Sequence, residues 1–453
     1  MPEPQGTDKN FYWGAATASY QIEGSPLADG AGMCTWHEFS HTPGNTQNGD
    51  TGDVAADHYH RWPADVELMR SLGLGAYRFS VRWPRVLPEG KGATNQAGID
   101  FYDRLVDKLL QAGIEPFVTL SHWDTPSGLH RLGGWANPDM AGWFADYAAI
   151  MGGALGDRVK HWMTLNEPFV VAQEGHLLAN HAPGMRNMYA ACASVHNQLR
   201  AHAAGYQALK NIDQSFQVGL AVHDMGAWPA SAAPEDAEAA ERAHAWANFP
   251  LFMDPLVFGH YPPAVEDRIR PYLPAGYEDD MAQLKLQPDF LGLNYYTTNL
   301  VRASGANWLG SETVHEEGVP RMKMLDWAVR PEGLYRLLKQ ADERYGLPAL
   351  YVTENGAAYD DVVQGGAVHD RERSEYLQQH TAAVLRAREE GVPVKGYFAW
   401  SLMDNFEWGL GYSMRFGLVH VDFSTQERIV KDSGHWYARL ARSGATTVAA
   451  MPR

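Results

Sequence analysis

Two glutamates carry the most chemistry per residue in this chain. Glu167 lies in Thr-Leu-Asn-Glu-Pro (164–168) and Glu354 in Val-Thr-Glu-Asn-Gly (352–356), each where a short apolar run stops and chain-turning residues begin. A carboxylate stranded there cannot fill a core and is an odd choice for a plain turn. The end of a strand is where barrel enzymes keep their catalytic groups, so the pair reads as an acid and a nucleophile.

The surrounding pattern shows what would hold them. Phe101, Leu105 and Leu109 recur every four residues before Gly113, and 114–120 then reads as a buried strand. Leu377, Thr381, Val384 and Leu385 mark a second helix, closed by Gly391 and Pro393 before a strand over 394–400. Further strands are expected over 11–16, 76–81, 161–165, 218–222, 290–293 and 350–353, eight in all. Strands alternating with helices imply a parallel sheet, either a closed (β/α)8 TIM barrel or an open doubly wound sheet. Gln21, Trp83, His122, Glu167, His223, Tyr296, Glu354 and Trp400 follow nearly every strand. Only a closed barrel, with its active site at the C-terminal face of the strands, would bring all of them to one small ligand. A single α/β domain over residues 1–453 is expected, with insertions near 227–245 and 302–325.

Composition narrows the function. Lys plus Arg total 37 against 54 for Asp plus Glu, a formal charge of −17, and no basic stripe could neutralise a phosphate backbone, so no nucleic-acid partner is expected. No window approaches the roughly 18 apolar residues of a bilayer span, and residues 1–10 lack the basic start and apolar stretch of a secretory leader, so a soluble, cytoplasmic protein with no membrane partner is expected. Cys34 and Cys192 read as two unpaired thiols. His58 and His60 beside Asp57 are two apart with no third ligand in step, so no metal site is read there. No Gly-x-Gly-x-x-Gly follows the first strand and no Walker-type loop occurs, and no cofactor is implied. Fifteen Trp and 21 Tyr offer flat apolar faces on which sugar rings stack, although most must serve the core.

Several strings are similar to a known family: 11–24 (FYWGAATASYQIEG), 51–61 (TGDVAADHYHR), 77–85 (YRFSVRWPR), 120–124 (LSHWD), the two glutamate motifs, 293–296 (LNYY) and 400–408 (WSLMDNFEW). Nearly end to end, the chain resembles the β-glucosidases of glycoside hydrolase family 1. The resemblance implies hydrolysis with retention, which requires two carboxyl groups about 5–5.5 Å apart. Glu354 would be the nucleophile and Glu167 the acid that later serves as base. Arg78 and Tyr296 would hold Glu354 ionised below its ordinary pKa, and Asn166 would contact the sugar 2-hydroxyl. Sugar recognition would fall to Gln21, His122, Trp123, Asn166, Asn294, Tyr296, Trp327, Glu407, Trp408 and Phe416, over a floor made by Trp400. An anionic Glu407 would repel a phosphorylated sugar. Phe169 stands where many members have Trp, and Thr125, Ser127, His176 and Ala179 also depart from the usual pattern, all on the leaving-group side.

The expected substrate is a small β-glucoside or short oligosaccharide, with a 6-phospho-β-glycosidase or a β-galactosidase/β-fucosidase of the same family as the alternative. A catalytically silent sugar-binding barrel is the reading from another class. Oligomeric state is not legible.

Overall fold

The computed structural model describes residues 11–322 and 325–452. Residues 1–10, read above for a leader, lie outside the described residues, as do positions 323 and 324 of the 302–325 segment.

Eight short, largely buried runs pair in parallel: Tyr12–Ala16, Ala76–Ser80, Glu115–Ser121, His161–Asn166, Gln217–His223, Phe290–Asn294, Leu350–Asn355 and Val394–Trp400. They neighbour one another in chain order, and the eighth closes on the first with Tyr12 facing Gly396 and Ala16 facing Trp400. The closed barrel, not the open sheet, is therefore the architecture, and closure leaves no exposed sheet edge. Helices Gln96–Gln111 and Arg371–Glu389 bury the stripes that their spacing marked.

Aromatic side chains plug the barrel interior. Phe117 meets Phe398, Tyr351 and Tyr12 at ring-centroid distances of 4.9, 5.4 and 5.2 Å. A barrel filled this way offers a ligand only its mouth.

Trp83 corrects one expectation. It is fully buried, stacks on Tyr147 at 4.8 Å and donates its indole N–H to the Gly90 carbonyl. It belongs to the packing between barrel and helices and not to the mouth. Outside the barrel, Ala227–Pro229, Asn299–Ala303 and Ser311–Val314 form a three-stranded sheet against helix Pro234–Ala247. His58 faces Asp65 at 2.8 Å while His60 faces Asp57 at 2.6 Å, so the two imidazoles serve separate carboxylates. Cys34 and Cys192 are free and buried. Among the described residues no helix is long and apolar enough to cross a membrane.

Candidate active site

The fourth strand ends at Asn166, and Glu167 turns the chain in a left-handed conformation with φ of 44°. Pro168 then opens a short helix from its first position, where a missing N–H costs nothing. The Glu167 N–H stays on the fifth strand through the Ala221 carbonyl at 2.8 Å, which fixes the direction of its side chain. Trp123 and Trp408 share the left-handed region, with φ of 77° and 51°, and all three line one cavity. Such conformations cost about 1–3 kcal/mol each and persist only where the surroundings impose them.

Glu354 sits one residue before the end of the seventh strand, level with Asn294 of the sixth. Two residues on, a Cβ at Gly356 would lie 1.7 Å from the Trp400 carbonyl oxygen. Only glycine lets the chain pass so close to the eighth strand, which explains the Asn-Gly that follows the carboxylate.

Arg78, buried at the second strand, ties these strand ends together. One amino nitrogen donates to Glu354 Oε1 at 2.6 Å and the other to Asn166 Oδ1 at 2.5 Å. Asn166 Oδ1 also accepts from Asn294 at 3.0 Å, so its amide nitrogen must face His122, whose Nε2 lies 3.1 Å away. His122 Nε2 is thus an acceptor and its proton sits on Nδ1. Burial and then the Arg78 charge push the His122 pKa well below its ordinary value, keeping the ring neutral. Tyr296 donates its hydroxyl to Glu354 Oε2 at 2.7 Å, and Asn294 donates to Glu167 Oε1 at 2.9 Å.

Burial pushes the Glu354 carboxyl up to about 7; Arg78 pulls it down, the Glu167 charge adds to the rise, and the Tyr296 hydroxyl opposes it. Arg78 and Tyr296 both act in the expected direction, but burial, which the sequence reading did not weigh, outweighs them and the net shift is upward. Because the two carboxyls bias one another, their protons belong to the pair. Glu354 alone is held by a guanidinium and a phenol, so it carries the negative charge when the pair holds one proton. Glu407 is corrected as well. Burial, Glu354 and Glu167 push it up to about 8 against the donor from Gln21, so at neutral pH it is mostly protonated and not an anion.

The cavity is about 600 Å³. Of the residues expected to recognise sugar, His122, Trp123, Tyr296, Trp327, Trp400, Glu407, Trp408 and Phe416 line it together with Glu167 and Glu354. Gln21, Arg78, Asn166 and Asn294 stand behind that lining, fully buried or nearly so. Gln21 donates to Asn405, Phe406 and Glu407, while its Oε1 and His122 Nδ1 have no protein partner among the described residues.

The outer wall was not legible from spacing. Phe39, Asn45, Glu174, His181, Met225 and Leu325 also line the cavity. Several of them come from irregular segments, among them the π-helix Val171–Leu177, a form that concentrates at functional sites. Among the described residues one trio could offer metal ligands, His37, His41 and Asp53. His41 is already engaged by protein groups, with Nδ1 2.7 Å from the His37 carbonyl and Nε2 3.0 Å from Asp53 Oδ2.

The profile of glycosyl hydrolase family 1 matches residues 5–445. A 1,4-beta-D-glucan glucohydrolase of Thermotoga neapolitana is 52% identical over 97% of this chain and 99% of its own. Beta-glucosidase A of Thermotoga maritima is 52% identical over 96% and 97%. The solved structure of a Thermotoga maritima beta-glucosidase in complex with deoxynojirimycin superposes with a TM-score of 0.95 at 51% identity, covering 98% of this chain and 99% of that one.

Proposed function

The chain belongs to glycosyl hydrolase family 1, and from that membership we propose that it is a retaining exo-acting β-glucosidase that removes terminal β-glucosyl units from small glucosides and short oligosaccharides. The observation that carries the assignment of roles is the contrast between two carboxyls on one cavity. Glu354 is gripped by Arg78 at 2.6 Å and Tyr296 at 2.7 Å, whereas Glu167, among the described residues, has no guanidinium and receives the Asn294 amide at 2.9 Å with the His223 imidazole at 3.5 Å.

In the first step a Glu354 oxygen bonds to the anomeric carbon, the glycosidic bond electrons pass to the leaving oxygen, and Glu167 gives that oxygen its proton. The ester consumes the Glu354 charge. Glu167, now a carboxylate, takes a proton from the incoming water as the water attacks the same carbon, and Glu354 leaves with its electron pair. Trp400 serves as the floor, and Gln21 Oε1, His122 Nδ1–H and the second amide hydrogen of Asn166 remain for sugar hydroxyls. A protonated Glu407 can both donate and accept.

A β-1,4-linked glucan end is the natural substrate class to test first, since a relative is described as a 1,4-beta-D-glucan glucohydrolase. A phosphorylated sugar is disfavoured because, among the described residues, no Lys or Arg lines the cavity to pair with a phosphate, while the Glu354 carboxylate held by Arg78 would repel it.

Glu354→Gly should lower turnover by about 10⁴-fold or more and yield an inverted glucosyl azide when azide is supplied, whereas Glu167→Ala should yield the retained azide and suffer most on poor leaving groups. Turnover by Glu354→Gly comparable to that of the parent enzyme would overturn the assignment.

A further inference from the structure

His223 closes the fifth strand level with Asn294, and its Nδ1 lies 3.5 Å from Glu167 Oε1. Its ring is nearly parallel to Phe169, with centroids 5.9 Å apart and an interplanar angle of 19°, which fixes the edge presented to the carboxyl. Asn294 and His223 therefore converge on Oε1, and Oε2 is left for the glycosidic oxygen. Strand-end residues were expected to share one face, but nothing in the motifs pointed to an imidazole at the acid.

We propose that His223 is a positioning and proton-sharing partner of Glu167, so that the general acid is a carboxyl–imidazole pair; this rests on the assignment of Glu167 as acid and base.

A pair of sites that trades one proton releases its last proton at a higher pH than the carboxyl would beside a neutral amide, because two microstates hold that proton. The alkaline limb of the pH profile, which reports the loss of that last proton, then belongs to the pair and lies at higher pH. In the second step the new Glu167 carboxylate faces an N–H donor, and the proton removed from water returns to Glu167 Oε2; His223 gains and loses no proton over the cycle.

The charged surroundings favour this pairing. Facing the ring are Glu167 just beyond the fourth strand, Asp224 next to His223 in the chain, Glu174 from the π-helix and the neutral Asn294 from the sixth strand. Burial alone would lower the His223 pKa, but Glu167, Asp224 and Glu174 together raise it. Asp224 is itself pushed up to about 7 by burial, with the Gly226 and Phe249 N–H groups opposing the rise, so Glu167 is the dominant influence.

The test is the pH profile of kcat/KM for His223→Asn and His223→Gln on aryl glucosides with poor and good leaving groups, beside the parent and Glu167→Gln. Both His223 variants should move the alkaline limb on the poor leaving group toward acid by about half a unit to one unit. The loss on a dinitrophenyl glucoside at the plateau should be under about twofold. In the ¹⁵N-histidine spectrum of the enzyme, the signal absent from His223→Asn should titrate at lower pH once Glu167→Gln removes the carboxylate. Alkaline limbs that superimpose on the parent in both folded variants, or an imidazole midpoint indifferent to Glu167→Gln, would overturn the pairing. Retained turnover of poor leaving groups by Glu167→Gln would instead overturn the acid assignment on which it rests.

Discussion

Tyr296 donates to Glu354 Oε2 at 2.7 Å, and that bond exists only with a hydroxyl. Its removal leaves the carboxylate with Arg78 alone against burial that already holds its pKa near 7. The anion loses a donor, so its pKa must rise further and the acid limb of the pH profile must move upward. Tyr296→Phe should shift that limb by about half a unit to one unit and lower kcat by about tenfold. A limb that moves toward acid, or not at all, would show that the phenol does not tune the nucleophile. Glu407 follows the same rule: burial and the two neighbouring carboxyls raise its pKa against only a 3.5 Å donor from Gln21.

Among the elements, the segment between the eighth strand and helix Asp432–Ser443 carries Glu407, Trp408 and Phe416 on a stretch whose regular structure before Val419 is a single 3-10 turn, Trp408–Leu410, followed by the short hairpin Val419–Val421 and Arg428–Val430. Its rigidity comes from buried charges. Lys431, wholly buried, donates to Asp404 at 2.7 Å and Asp361 at 2.5 Å; Arg373 pairs with Asp361 at 2.9 Å and with Asp370, and Arg415 with Asp404 at 2.6 Å. Burial would raise the Asp404 pKa, but Lys431 and Arg415 hold it below the ordinary carboxylate value. Breaking such a network by removing one partner costs about 3–5 kcal/mol, because the remaining charges stay buried. Lys431→Met should therefore lower the thermal midpoint sharply and raise KM more than it lowers kcat. An unchanged melting temperature would exclude the network as the loop's anchor.

Across the whole molecule, the site is stored strain on a stable frame. Four left-handed non-glycine residues, Trp123, Glu167, Ala179 and Trp408, lie on one cavity with the mutually repelling carboxyls of Glu167, Glu354 and Glu407. Glu407 binds its proton more tightly folded, at about 8, than in an unfolded chain. Its contribution is thus full below the ordinary glutamate pKa of about 4.3, and is lost as pH rises through 8. Glu407→Gln should match the parent near pH 4.5 and melt about 1–3 °C higher at pH 9, at the expense of sugar binding. Parallel melting curves across that range would mean that Glu407 is ionised throughout.

The sequence by itself determined the eight strands and the position of both glutamates at strand ends, because those features are local. Periodicity, turn residues and motif strings need no knowledge of what lies across the barrel, and observed strand bounds differ from expectation by at most two residues. Only the tertiary structure decided which strand-end residues face one another. It withdrew Trp83 into the packing, set His223 on Glu167, joined Lys431 to Asp361 and Asp404, and raised Glu354 and Glu407 together. Burial and Coulomb energy depend on distances between residues far apart in the chain, and barrel closure is what fixes those distances.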